Sequence, residues 1–234
     1  MAKVVELNDW EALAAEIRQC EDGGPRIFRG VTNFEKHKLL PKIGRPGSRK
    51  DPSDGSERPH AEDDEKRSLE LFCRTARPFL THEPRSDFEW LAIAQHYGAP
   101  TRLLDWTLSP LIAAFFAMEK AGTDGRPAVY VLSPPTKTTD GDTPFSITDV
   151  RAYYPPYISP RIQAQGSIFT VHPCPATEFN PPELLVWLFP VGKPCWDLKR
   201  VIDRCGFNRA SLYPDLGGLA EHVGWCYKWG RFIG

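Results

Sequence analysis

Gln95-His96-Tyr97-Gly98-Ala99-Pro100-Thr101-Arg102-Leu103-Leu104-Asp105-Trp106-Thr107-Leu108-Ser109-Pro110, running into Leu111–Met118 (LIAAFFAM), carries a helix end, a short strand and a helix start in one stretch. Upstream of it, a helix beginning near Ser86 has Trp90, Ile93, Ala94 and Tyr97 at helical spacing, and Gly98 suits its C-terminal stop. At the far end Ser109 is an expected N-cap and Pro110 fits the first helical turn, where its missing N–H costs nothing. LIAAFFAM is apolar on every side, which predicts a central, buried helix rather than a surface one.

Working outward, residues 7–20 predict a first helix, with Asn8 as N-cap, Glu11 closing a capping box, and Trp10, Leu13, Ala14 and Ile17 as its stripe. Arg26-Ile27-Phe28-Arg29-Gly30 alternates as a half-buried strand does. Residues 41–61 are rich in Pro, Gly, Ser and charge, which predicts a flexible surface loop. From Ala61 a helix is expected, with Glu62, Asp63, Asp64 and Glu65 at its positive end, Arg74 and Arg77 at its negative end, and Leu69, Phe72, Cys73, Ala76 and Phe79 inward. Residues 128–132, 167–171 and 185–189 read as buried strands, and 197–205 and 216–223 as helices. Helices and strands in this order argue for an α+β fold in a single domain spanning 1–234.

The composition narrows the function. Hydrophobic residues at 41% can fill a core, and Lys plus Arg at 29 against Asp plus Glu at 30 exclude a chain-wide basic field for nucleic acid. The apolar runs at 111–118 and 184–189 are far shorter than the ~20 residues that span a bilayer, so no membrane partner is expected. Six scattered cysteines without a CxxC pair, and no readable export segment, point to reduced thiols and a cytoplasmic location. His172 with Cys174 is the nearest approach to a metal pair, and no metal site is expected. Phosphate-binding Gly-rich loops and hydrolase motifs are missing.

Three segments stand out together: Phe28-Arg29-Gly30, the Gln95–Ala117 stretch, and Arg161-Ile162-Gln163-Ala164-Gln165-Gly166-Ser167-Ile168-Phe169-Thr170. Through them, and through Leu212–Leu219, the sequence resembles the FRG domain family from about Arg26 to His222. More distantly it resembles the ADP-ribosyltransferase fold, in which an Arg-Gly strand, a Ser-Thr-Ser-like strand entering an Ala- and aromatic-rich helix, and a Glu-bearing element follow in that order. Here Arg29, Thr107-Leu108-Ser109 and Gln163-Ala164-Gln165 hold those places, with Gln where the class has Glu. The resemblance implies a split, antiparallel-rich sheet and NAD as substrate. Arg29, Ser109 and Gln165 would be the catalytic set, and Phe28, Tyr97, Thr107 and Gln163 would join Arg29 and Ser109 in binding the dinucleotide. With Gln165 in the place of that Glu, catalysis would rely on Asp105, on another acid such as Glu178 or Glu183, or on strain alone, or else the pocket would bind without turnover. The same resemblance implies transfer of ADP-ribose to a protein or nucleic-acid acceptor by a toxin or phage-defence effector, with an inhibitory partner protein. Lys42, Arg45, Arg49 and Lys50 suit a phosphate-bearing acceptor. The alternatives are a non-catalytic module that senses a nucleotide or modified base, and a structural interaction module with no small ligand. Arg102 beside Asp105 reads as a structural ion pair.

Overall fold

The structure, a computed structural model, describes residues 2–80, 83–120, 125–156 and 159–230. Its first half contains β1 (Lys3–Glu6), α1 (Trp10–Asp22), β2 (Ile27–Val31), α2 (Glu62–Ala76), α3 (Asp87–His96), β3 (Leu103–Thr107) and α4 (Pro110–Met118). Its second half contains β4 (Ala128–Leu132), β5 (Arg151–Tyr153), α5 (Pro160–Ala164), β6 (Ser167–Val171), β7 (Leu185–Leu188), α6 (Lys193–Arg204), α7 (Arg209–Leu212) and α8 (Leu216–Trp229). The strands form one seven-stranded sheet in the order β1-β7-β4-β2-β3-β6-β5. Only β1 and β7 run parallel; the other neighbours are antiparallel, as an α+β fold rich in antiparallel pairs requires.

The stretch from Gln95 builds the centre of this sheet as its sequence suggests. Ser86 caps α3 by accepting from the Glu89 amide, and Ser109 caps α4 by accepting from the Ile112 amide. Ile112, Ala113, Ala114, Phe115, Ala117 and Met118 are all buried, packed on Phe28, Val129, Val131 and Trp187. Removing side chains such as Ile112 and Phe115 from water contributes about 1.5–3 kcal/mol each. A second cluster joins Ile27, Val31, Leu104, Trp106, Tyr130 and Val186 to Leu39. A third joins α2 and α3 to Leu103, Tyr153, Phe169 and Val171.

Several expectations need correction. The α1 cap is Asp9 rather than Asn8, because the Asp9 carboxylate accepts from the Ala12 amide at 2.8 Å. Phe79 is 86% exposed, since α2 ends at Ala76 and a 3-10 turn at Arg77–Phe79 carries it off the buried stripe. Tyr97 is 70% exposed because it sits at the C-cap of α3, past the last buried turn. Residues 41–61 hold no longer element than a 3-10 turn at Lys42–Gly44, with an isolated bridge between Lys50 and Glu57. β1, β5, α5 and α7 have no counterpart in the expected elements; each is five residues or fewer, too short for periodicity to register. α6 starts earlier than expected and α8 runs on to Trp229, where Gly230 closes it in the left-handed region.

Arg102 is not the partner of Asp105. It is buried, and Glu65 of α2 grips it through Nε–Oε1 and Nη2–Oε2 contacts of 2.8 Å each. The Pro144 carbonyl takes Nη1 at 2.8 Å, and the Phe145 ring lies 4.3 Å from the guanidinium carbon. The acid expected to serve only the α2 dipole therefore locks α2 to the start of β3.

Candidate functional site

β2 pairs with β4 along its whole length, from Ile27↔Leu132 to Val31↔Ala128, but meets β3 at a single register pair, Phe28↔Thr107. Past that pair the two halves of the sheet part. Arg29 spans the gap: its Nη1 donates to the Asp105 carbonyl at 2.8 Å and lies 3.4 Å from the Asp105 carboxylate. A side chain thus supplies a bond that the sheet ladder would otherwise make. Alternation along the strand explains the Phe28-Arg29-Gly30 sequence. Phe28 is buried beneath α4, its ring 5.5 Å from Trp187, while Arg29 is turned to the opening. Gly30 faces α4 so closely that a Cβ there would overlap the Ala113 carbonyl oxygen.

The opening is a cleft of about 440 Å³. It is lined by Phe28 and Arg29 from β2, Gln95 and His96 from α3, Asp105 and Thr107 from β3, and Arg161, Gln165, Ser167 and Phe169 from α5 and β6. Arg29, Phe28, Thr107 and Gln165 therefore come together from three segments distant in sequence. Thr107 holds the arrangement in register: its hydroxyl donates to the Gln165 carbonyl at 2.6 Å and accepts from the Ser109 amide at 3.1 Å. The Gln165 amide donates to the Leu212 carbonyl at 3.0 Å. Ser109, Tyr97 and Gln163 do not line the cleft. The Ser109 hydroxyl is used as the α4 cap, Gln163 is exposed on α5, and Tyr97 rests edge-on against His96. Gln163 and Gln165 belong to a short helix and its C-cap rather than to a strand, so they do not present their side chains alike.

Charge in the cleft is uneven. Arg29, Arg45, Lys120 and Arg161 line it against Asp105 and Glu119. Glu119 is engaged by Arg209, and Asp215 takes Arg161 at 2.6 and 3.1 Å. Asp105 is the most open carboxylate, 55% exposed, and Gln95 Nε2 donates to it at 2.9 Å. Glu178 and Glu183 are exposed and lie outside the lining. Burial, and then the Arg161 charge, push the His96 pKa below its usual value, which favours a neutral ring. Beneath the cleft Trp106 Nε1 donates to Thr170 Oγ1 at 2.9 Å, and Thr170 Oγ1 lies 2.8 Å from His172 Nε2. Burial and the Arg29 charge lower His172 to about 3, so this ring is a neutral hydrogen-bond partner. Cys174 is exposed.

Nothing in the spacing of the central stretch marks out Gln95 for the part that it plays. Its Oε1 accepts from Thr101 and its Nε2 serves both the Leu103 carbonyl and Asp105, so it orients the acid of the cleft. Arg161 escaped for lack of any local signal, since its partner Asp215 lies far along the chain.

Among the described residues no helix is long and apolar enough to cross a membrane. No curated protein and no solved structure matches the chain. Residues 24–125 match the FRG domain family, a span that includes Phe28-Arg29-Gly30 and the whole Gln95–Met118 unit but not α5 or β6. The match with the FRG domain is confined to residues 24–125, and elements beyond that span complete the cleft.

Proposed function

We propose that the cleft binds an NAD-type dinucleotide and that the protein is an ADP-ribosyltransferase-like enzyme acting on a macromolecular acceptor. One observation carries this reading: Arg29, Thr107 and Gln165, from three separate segments, line a single cleft with more cationic than anionic side chains. Its volume of about 440 Å³ lies within the range of roughly 300–1,000 Å³ that small-ligand sites occupy.

Each residue has a chemical part. The planar fork of Arg29 fits a phosphate through paired N–H groups, which a lysine cannot do. Breaking the nicotinamide–ribose bond builds up oxocarbenium character, and a carboxylate beside the ribose stabilises that charge. Asp105 is the acid that the cleft offers, steered by Gln95 and Arg29. Thr107 sets the position of the Gln165 backbone, and Ser109 acts at one remove by fixing the start of α4. Phe28 borders the cleft but turns its ring beneath α4, so it supports Arg29 from below. An enzyme of this kind would serve as a toxin or phage-defence effector on a protein or nucleic-acid acceptor, restrained by an inhibitory partner.

The test is incubation of the wild-type chain with NAD, following nicotinamide release and label transfer. Release is expected from the wild type, and Asp105→Asn is expected to slow it by about 10²–10⁴-fold, the usual worth of a positioned acid or base. Gln165 favours a second reading, because a neutral amide that already donates to Leu212 needs no turnover: the cleft would sense a nucleotide or modified base. NAD binding without nicotinamide release selects that reading. A gain of release in Gln165→Glu would put this side chain at the ribose.

A further inference from the structure

We propose that Arg45, carried into the cleft by the 41–61 segment, completes with Arg29 an anion subsite that takes a phosphoanhydride. Its natural ligand follows from the dinucleotide reading above, whereas the chemistry of the two guanidinium groups stands apart from it.

The bases of this segment have different fates. Arg49 is held by Asp64 and by the Pro59 carbonyl, Arg58 by Asp51, and Lys42 by the Gly98 carbonyl at 2.5 Å. Arg45 alone of these lines the cleft. The chain beside it is fixed: the Ile43 amide donates to the Thr101 carbonyl, and Gly44 packs on the Pro175 carbonyl with no room for a Cβ. Arg45 Nε donates to the Leu40 carbonyl at 3.0 Å, which aims the side chain without neutralising it.

Positive charge is left over at this point. Among the described residues Arg45 has no carboxylate within ion-pair distance. Arg29 has Asp105 at 3.4 Å, and among the described residues its buried Nε has no hydrogen-bond partner. Desolvation, and then the nearby Arg29 charge, lower the basicity of Arg45, an exposed side chain with a like charge beside it. Arg161 differs, being satisfied by Asp215 and stacked over Tyr213. Two forks facing one gap with a single exposed carboxylate between them suit a doubly charged, oxygen-rich anion, and adjoining phosphates offer acceptors to both.

Inorganic pyrophosphate, titrated calorimetrically into the full chain, tests the subsite. Pyrophosphate is expected to bind, and Arg45→Ala to weaken it about tenfold to hundredfold, the worth of one or two charge-assisted hydrogen bonds. Arg49→Ala, on the same segment but paired outside the cleft, is expected to stay within about twofold of wild type. Circular dichroism melts of both variants check that the fold persists, and Arg45→Lys serves as a milder substitution should alanine disturb the segment; it keeps the charge but not the fork and is expected to bind more weakly than wild type. No pyrophosphate binding by the folded wild type at millimolar concentration overturns the subsite, as does equal weakening by Arg49→Ala or wild-type affinity in Arg45→Ala. Pyrophosphate binding that depends on Arg45 in a chain that does not bind NAD would leave the subsite standing and end the dinucleotide reading. NAD binding indifferent to Arg45→Ala would do the reverse.

Discussion

Arg102 and Arg29 flank the same central strand, yet their surroundings are opposites. Arg102 is buried and answered on three sides, by both oxygens of Glu65 and by the Pro144 carbonyl, with Phe145 against its plane. Among the described residues Arg29 has one good bond, to the Asp105 carbonyl, a longer approach to the Asp105 carboxylate, and an Nε without a partner. A guanidinium whose donors are used up serves the fold. One that is left short of acceptors, at the mouth of a cleft, is available to a ligand. The lesson is that residue type did not separate the two roles; the count of satisfied donors does.

The comparison breaks first at Arg102. Arg102→Ala leaves Glu65 charged and buried, and breaking such a pair costs about 3–5 kcal/mol, to be read from urea unfolding. A loss under about 1 kcal/mol would mean that water reaches Glu65 and that the junction is not structural. Next in size is Gly30→Ala, whose methyl must displace the α4 backbone; overpacking of this kind costs about 1–3 kcal/mol, and a fully stable variant would refute the close approach of β2 and α4.

His172 sharpens the contrast through pH, because it is a buried base that feels the Arg29 charge. Its folded pKa of about 3 lies below the ordinary value of about 6.5, so the unfolded chain takes up the proton first. Its contribution to stability is present above about pH 6.5 and is lost as pH falls toward about 3, with a slope of at most about 1.4 kcal/mol per pH unit. In His172→Gln the dependence of unfolding free energy on pH should be flatter across that window. An unchanged slope would show that another group controls acid unfolding. Smallest on the stability scale is Arg29→Ala, expected to cost about 1 kcal/mol because one hydrogen bond is lost in a partly open place. A loss comparable with that of Arg102→Ala would erase the distinction between the two arginines.

The central unit was legible because local rules decide it. Ser86 and Ser109 cap the helices that their sequences announce, and LIAAFFAM is buried as its composition demands. The convergence of Arg29, Thr107 and Gln165 was legible only through order along the chain and a family likeness. Ser109 and Gln163 share that ordering yet point elsewhere, because one is consumed by a helix end and the other lies on a short helix that no periodicity reveals. The Arg102–Glu65 pair and the arrival of Arg45 in the cleft depend on contacts between distant segments, and nothing in the spacing of those residues encodes them. Asp105 stands in the sequence both as a neighbour of Arg102 and as an acid for the cleft, and tertiary structure separates the two.

Thermal unfolding of the wild-type chain and of Arg29→Ala, each with increasing NAD, tests the binding cleft most directly. The wild type is expected to gain stability with ligand, by about 2.7 kcal/mol at a hundred times the Kd, while the folded Arg29→Ala variant gains almost none. A wild-type melt that ignores millimolar NAD, or a variant that responds as strongly as the wild type, would contradict a dinucleotide held by Arg29.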